Sequence, residues 1–148
     1  MKRINMCKGV WIGLVTGIIL AIFLKSVEVL LGYKVYTLLL NVDYIPIVKD
    51  YQFSEAIEVF FHLVVSVVLC ILLVIALDKS TDFIRNRVVY FSFLINTAIG
   101  LLLYPTTSFS DRTPSFTDAV SLSWWIAGHA LYGVVVGMLL KKTMGKRK

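Results

Sequence analysis

Four apolar runs, each long enough to cross a bilayer, dominate this 148-residue chain and leave it few folds to choose from. About 20 residues of helix, rising 1.5 Å per residue, span the roughly 30 Å of a hydrocarbon core. The runs cover residues 9–31, 55–77, 88–104 and 119–140. Backbone N–H and C=O groups find no water in lipid, so a spanning segment satisfies them internally, as a helix. The expected fold is all-α: an integral membrane four-helix bundle, one membrane domain over 1–148. The third run is the shortest and is expected to stand nearly upright or to thin the bilayer locally. With 58% of residues hydrophobic and 16% charged, and a mean hydropathy of +0.82, too little polar surface remains to cover a soluble domain.

Lys and Arg number 15 against 9 Asp and Glu, a net charge of +6. A basic stripe on a folded surface would point to nucleic acid. Here the cations flank apolar runs instead, so no nucleic-acid partner is expected. Lys2, Arg3, Lys8, Lys79, Arg85, Arg87, Lys141, Lys142, Lys146, Arg147 and Lys148 fall on one side of a four-span arrangement, and only Lys34, Lys49 and Arg112 on the other. The positive-inside rule then predicts a cytoplasmic N-terminus and C-terminus, a cytoplasmic loop over 78–87 and outer connections over 32–54 and 105–118. Membrane lipids are the expected partners of this charge.

Cations ahead of the first run also open a signal peptide, but no small-residue cleavage site follows, so a retained first helix is expected. Cys7 and Cys70 are too few for a disulfide framework and carry no expected redox role; Cys7 is either acylated or merely a small residue near the membrane. The 32–54 connection sets Val35, Leu38, Leu39, Leu40, Ile45 and Ile47 among Tyr33, Tyr36, Tyr44 and Tyr51, and is expected to hug the interface, with a short surface helix before Pro46. The Ser, Thr and Pro of 105–118 predict an irregular loop or cap.

Gly9, Gly13 and Gly17 recur every four residues, and Ala21 continues the row; Gly133 and Gly137 repeat the spacing in the last run. Such rows let helix backbones approach closely. They are expected to pack the first and fourth helices together, or against a neighbouring subunit of a homo-oligomer or a partner membrane protein.

The second run is more informative. Glu55, Glu58, His62, Ser66 and Cys70 form one stripe on a surface of Val and Leu. Ionisable groups at membrane depth are costly unless paired or wet, so the stripe is expected to face the bundle. Lys25 and Glu28 lie near the outward end of the first helix, and His129 about one turn inside Trp124 and Trp125, which read as an outer aromatic belt. Asn96 and Thr97 fall near mid-depth in the third helix, with Tyr104 toward the outer edge. A ligand or proton pocket of Lys25, Glu28, Glu58, His62 and His129 is therefore expected in the outer half of the bilayer. In one reading Lys25 is neutralised by Glu28 and Glu58; in another Lys25 snorkels outward.

No cofactor is predicted. The set that could take one is His62 and His129, with Glu58 as a third metal ligand or without it as the two axial ligands of a haem. No phosphate loop, zinc-protease motif or cysteine metal pair is present, and Ser66, Ser121 and Ser123 lack a nucleophile motif.

The glycine-rich stretch from Gly13 leading to Lys25-x-x-Glu28, and the segment Gly128-His129-Ala130-Leu131-Tyr132-Gly133 followed by Gly137, resemble the YagU-like bacterial inner-membrane proteins. The terminal Leu-Tyr-Gly segment is also similar to one in the small YqhR-like membrane proteins. Either resemblance implies a short four-helix protein of a bacterial cytoplasmic membrane and supplies no reaction. The function expected from the sequence is an accessory or stress-related membrane component with an outer-half polar pocket. The alternatives are a minimal proton, ion or small-solute transporter subunit and, third, a metal- or haem-binding enzyme.

Overall fold

The computed structural model describes residues 6–43, 45, 47, 51 and 53–144. Lys2, Arg3, Lys49, Lys146, Arg147 and Lys148 of the charge pattern, and Tyr44 and Pro46 of the 32–54 connection, lie outside the described residues. The described chain is all-helical, with four helices long and apolar enough to cross a membrane. These are α1 (Met6–Leu31), α3 (Glu55–Lys79), α5 (Val88–Leu103) together with the 3-10 helix that extends it to Phe109, and α6 (Ala119–Met144). Two short helices lie in the connections, α2 (Val35–Leu40) and α4 (Asp82–Asn86).

The ends follow local chemistry. Gly32 stops α1 by taking a left-handed φ of +80° while its N–H bonds back to Glu28 O, a conformation a side chain would strain. Ser80 turns its hydroxyl onto Leu77 O at the end of α3. Pro105 cannot continue α5 as an α-helix, and a 3-10 helix, Tyr104–Phe109, takes over. Asp118 caps α6, accepting the N–H groups of Val120 and Ser121 at 3.1 Å and the Ser121 hydroxyl at 2.6 Å.

The bundle is apolar on both faces, with Leu24, Val74, Val136 and Leu140 in its interior. Large apolar side chains such as Trp11, Ile22, Phe60, Leu72 and Leu102 point outward, while Thr16, Ser66, Ser92 and Asn96 are buried inside. Lipid solvates the first set, and neighbouring helices satisfy the second.

Glycine determines which helices touch, and the pairing differs from the expected one. A Cβ built on Gly13 would meet Val67 Cα at 2.5 Å, and one on Gly17 would meet Ser66 Oγ at 2.9 Å, so the first glycine row packs on α3 and not on the last span. Gly9 is looser, with Ile71 Cα at 3.4 Å. Gly133 and Gly137 seat α6 on α5, where a Cβ would meet Ser92 O and Val89 Cα at 2.6 Å each. α1 does pack on α6, but through Leu20 and Leu24 against Gly128. Close packing thus joins α3 to α1, α1 to α6 and α6 to α5, and α3 and α5 stand apart along most of their length.

The connection after α1 carries the short helix expected there, α2, which lies against α1, α3 and α6 and buries Val35 and Leu38. Its N-terminus is capped from α1: Glu28 accepts the Thr37 N–H at 2.8 Å and the Thr37 hydroxyl at 2.7 Å.

Candidate functional site

A cavity of about 120 Å³ opens in the gap between α3 and α5, roofed by the end of α2 and floored by α6. Glu58, His62 and Ser66 reach it from α3, Asn96 from α5, and Trp125, His129 and Tyr132 from α6. Counted from the helix starts nearest this roof, Glu58 lies about 5 Å along α3, His62 about 10 Å, and His129 about 15 Å along α6. The rest of the wall is apolar, including Leu20, Leu38, Phe61 and Ile99.

Three of the five expected pocket residues line this cavity, and two do not. Lys25 stands outside with its side chain half exposed, donating to Glu55 Oε1 at 2.6 Å and lying 5.1 Å from the centre of the Tyr36 ring. Glu28 is occupied in capping α2. Lys25 is therefore paired with Glu55, and neither Glu28 nor Glu58 neutralises it. Tyr36 also donates to Glu55, at 2.8 Å. Its own burial, followed by that carboxylate, pushes the Tyr36 hydroxyl well above the ordinary tyrosine value.

The counter-charge of Glu58 comes from Arg112 in the loop before α6, a residue the sequence pattern leaves as an ordinary loop cation. Its two terminal nitrogens donate to Glu58 Oε1 at 2.9 Å and Oε2 at 3.3 Å. Glu58 is 4% exposed. A carboxylate so buried requires compensation, and the bidentate fork supplies it. The hydrogen bonds to Glu58 in turn raise the Arg112 pKa further. The loop is held in place by Ser110, which donates to Asp43 in the connection between α2 and α3, and by Thr113, which donates to Thr107 O and Ser110 O.

Each histidine spends one ring nitrogen on a backbone carbonyl. His62 Nε2 lies 3.0 Å from Gly17 O, and His129 Nδ1 lies 3.0 Å from Trp125 O. A carbonyl only accepts, so both nitrogens carry hydrogen, and in neutral rings His62 Nδ1 and His129 Nε2 are left as bare lone pairs. The two imidazoles line one cavity but do not share hydrogen bonds with each other.

Trp125 is not part of an outer belt. It is buried, donates Nε1–H to Gly100 O at 2.8 Å, and sets its ring 4.3 Å from that of His129. Trp124 packs instead against Phe23. Gly100 escaped the sequence reading, although a single glycine among Ile99, Leu101, Leu102 and Leu103 is the signal for it. A Cβ there would meet the His129 ring at 2.8 Å, so Gly100 makes room for the imidazole and accepts the tryptophan. Beneath the histidines, Ser66 donates to Gly13 O at 2.7 Å, and its single hydrogen being spent, Tyr132 donates to Ser66 at 2.8 Å.

Among the described residues, no three His, Cys, Asp or Glu side chains stand close enough to hold a metal, and Arg112 occupies both oxygens of Glu58. What the arrangement can do chemically is hold a small amphiphile, with a polar end among the imidazoles and an apolar remainder against Leu and Ile.

A second cavity of about 190 Å³ lies further along the α3 and α5 gap, lined by Leu73, Leu77, Ile84, Val88, Phe91 and Ile95 among others. Apart from Ser80 and Ser92 its walls are apolar. No family model, curated protein or solved structure matches the chain.

Proposed function

We propose that this is an accessory multi-pass protein of a bacterial cytoplasmic membrane, with both termini in the cytoplasm, that binds a small amphiphile in the outer half of the bilayer. The observation that carries the reading is the cavity between α3 and α5, where His62 and His129 converge in an otherwise apolar wall. Separation of these two helices gives a lipophile a lateral way in from the bilayer. The orientation rests on the flanking cations, eleven against three, and puts the Arg112 loop on the outer side. The resemblance of the first and last spans to YagU-like proteins belongs to the same proposal.

A carrier of protons or ions is the less favoured reading. A polar solute that left the histidines toward the other face would meet the second cavity, whose apolar lining offers it little.

Trp125 provides the test, because it lines the cavity and the chain has only two other tryptophans, Trp11 and Trp124. With both of those changed to Phe, bromobenzene added to reconstituted bilayers is expected to quench Trp125 in a saturable manner. Ile99→Phe, which fills part of the cavity, is expected to weaken that quenching. Linear quenching of equal strength in both proteins would remove the proposal.

A further inference from the structure

The proposed binding reading leaves the class of amphiphile open, and the hydrogen-bond directions around the two histidines narrow it. His62 Nε2 and His129 Nδ1 are donors because their partners, Gly17 O and Trp125 O, can only accept. Tyr132, Ser66 and the Trp125 indole spend their hydrogens on Ser66, Gly13 O and Gly100 O, and one Asn96 amide hydrogen goes to Ser92 O. No described residue donates to His129 Nε2 or to His62 Nδ1. His129 is 6% exposed, so its bare nitrogen belongs to a buried ring that lines the cavity. A lone pair on the cavity wall that no protein group meets is an acceptor open to a bound O–H.

Charge excludes the other candidates. A phosphate or carboxylate needs an uncommitted cation, and among the described residues no Lys or Arg lines the cavity, while Arg112 is committed to Glu58 and Lys25 to Glu55. An organic cation needs an uncompensated carboxylate, and Glu58 already holds Arg112. An uncharged molecule remains. At the α2 end of the cavity, Asn41 Nδ2 is a buried donor without a partner, suited to an oxygen lone pair on the same kind of ligand.

We infer that the cavity takes an uncharged, hydroxyl-bearing lipophile, a phenol or an alcohol, whose O–H donates to the bare ring nitrogen of His129 or of His62. Its apolar part lies along Phe61, Val65, Leu69 and Ile99 and leaves through the α3 and α5 gap toward lipid.

The probes are para-propylphenol and para-propyltoluene, which differ by an O–H in place of a methyl group. Full-length protein with ¹⁵N-labelled histidine is placed in phosphatidylcholine nanodiscs, and each probe is titrated at matched concentration in the bilayer. The phenol is expected to bind about tenfold more tightly than the toluene, a factor typical of one buried hydrogen bond, and to move a non-protonated histidine nitrogen resonance upfield. His129→Phe and His62→Phe are expected, one or both, to abolish the preference. The comparison of the two probes in the parent protein decides the matter even where a variant fails to fold.

Equal binding of both probes, with the ring nitrogens unmoved, would overturn the hydroxyl inference and leave the amphiphile cavity standing. Entry of neither probe would overturn both. Phosphatidylglycerol, which carries headgroup hydroxyls, is expected to leave the resonances unchanged when it replaces phosphatidylcholine without a probe. A shift there would assign the hydroxyl to a charged lipid headgroup and contradict the uncharged ligand.

Discussion

Arg112, in the loop before α6, grips the buried carboxylate of Glu58, one turn into α3, through two hydrogen bonds of 2.9 and 3.3 Å. The pair stands where Glu58 lines the cavity and joins the loop before α6 to a helix 54 residues earlier in the chain. The Glu58 side chain is 5% exposed and that of Arg112 48%, so most of the desolvation cost falls on the carboxylate.

Removing the guanidinium strands that carboxylate. Arg112→Met is expected to destabilise the protein by about 2 kcal/mol, and Glu58→Gln added to it to restore most of the loss. Unfolding in mild detergent measures all three proteins. The Lys25 and Glu55 pair is exposed on both sides, at 51% and 59%, and Lys25→Met is expected to leave stability unchanged within error. A larger loss for Lys25→Met than for Arg112→Met would reverse the assignment of the two pairs.

The glycine row is expected to be unequal in its tolerance. Gly13→Ala forces a methyl group to within 2.5 Å of the Val67 backbone and is expected to cost about 1–3 kcal/mol through separation of α1 from α3. Gly9→Ala meets only ordinary contacts near 3.4 Å and is expected to be neutral or mildly stabilising. Folded yield and thermal unfolding in detergent distinguish the two, and equal sensitivity would deny Gly13 its role at the helix contact.

Hydrogen bonds from the Ser121 hydroxyl, and next from the Ser121 N–H, hold the Asp118 carboxyl below its ordinary value of 3.8. A carboxyl whose pKa is depressed in the folded state stabilises it above the ordinary value and loses that contribution as pH falls through the lower one. Asp118→Ala is expected to cost about 1 kcal/mol near neutral pH, while Asp118→Asn, which still caps, costs less and removes the acid-dependent part. Stability measured from pH 7 downward checks the sign. A parent protein that gained stability on acidification through this group would contradict it.

Topology has its own readout. With Cys7 and Cys70 replaced, Ser108→Cys is expected to react with an impermeant thiol reagent applied to intact cells, and Thr81→Cys only after the membrane is opened. Both positions are exposed on the protein. The opposite labelling pattern would put both termini outside.

The four spans were legible because hydropathy and length alone decide what can cross a bilayer. The inward stripe on the second span is legible in part for a related reason: Glu58, His62, Ser66 and Cys70 recur with the helix period and are costly in lipid, and they are buried or half-buried, while Glu55 at the end of the stripe is exposed and pairs with Lys25. What the sequence hid depends on tertiary geometry. Nothing local joins Arg112 to Glu58, and Lys25 at a matching depth was the nearer choice. Glycine rows mark close contact without naming the partner, so the spacing of Gly13 fits the last span or a neighbouring subunit as well as α3, on which it lies. Trp125 at the start of a span has the composition of a belt residue, and only the backbone of Gly100 across the helix interface draws it inside. The apolar residues of α2 fit an interface as well as a bundle, and the Glu28 cap that turns this helix inward spans nine residues.

The central claim is that the cavity between α3 and α5 is an occupied binding site in the native membrane. The direct measurement is organic extraction and mass spectrometry of protein purified from that membrane in mild detergent, comparing the parent with Ile99→Phe and with Ile99→Val as a cavity-preserving control. A small uncharged amphiphile enriched with the parent and the Val variant, and depleted with the Phe variant, is the expected result. The same small-molecule content in all three, when all three are folded, would contradict the account.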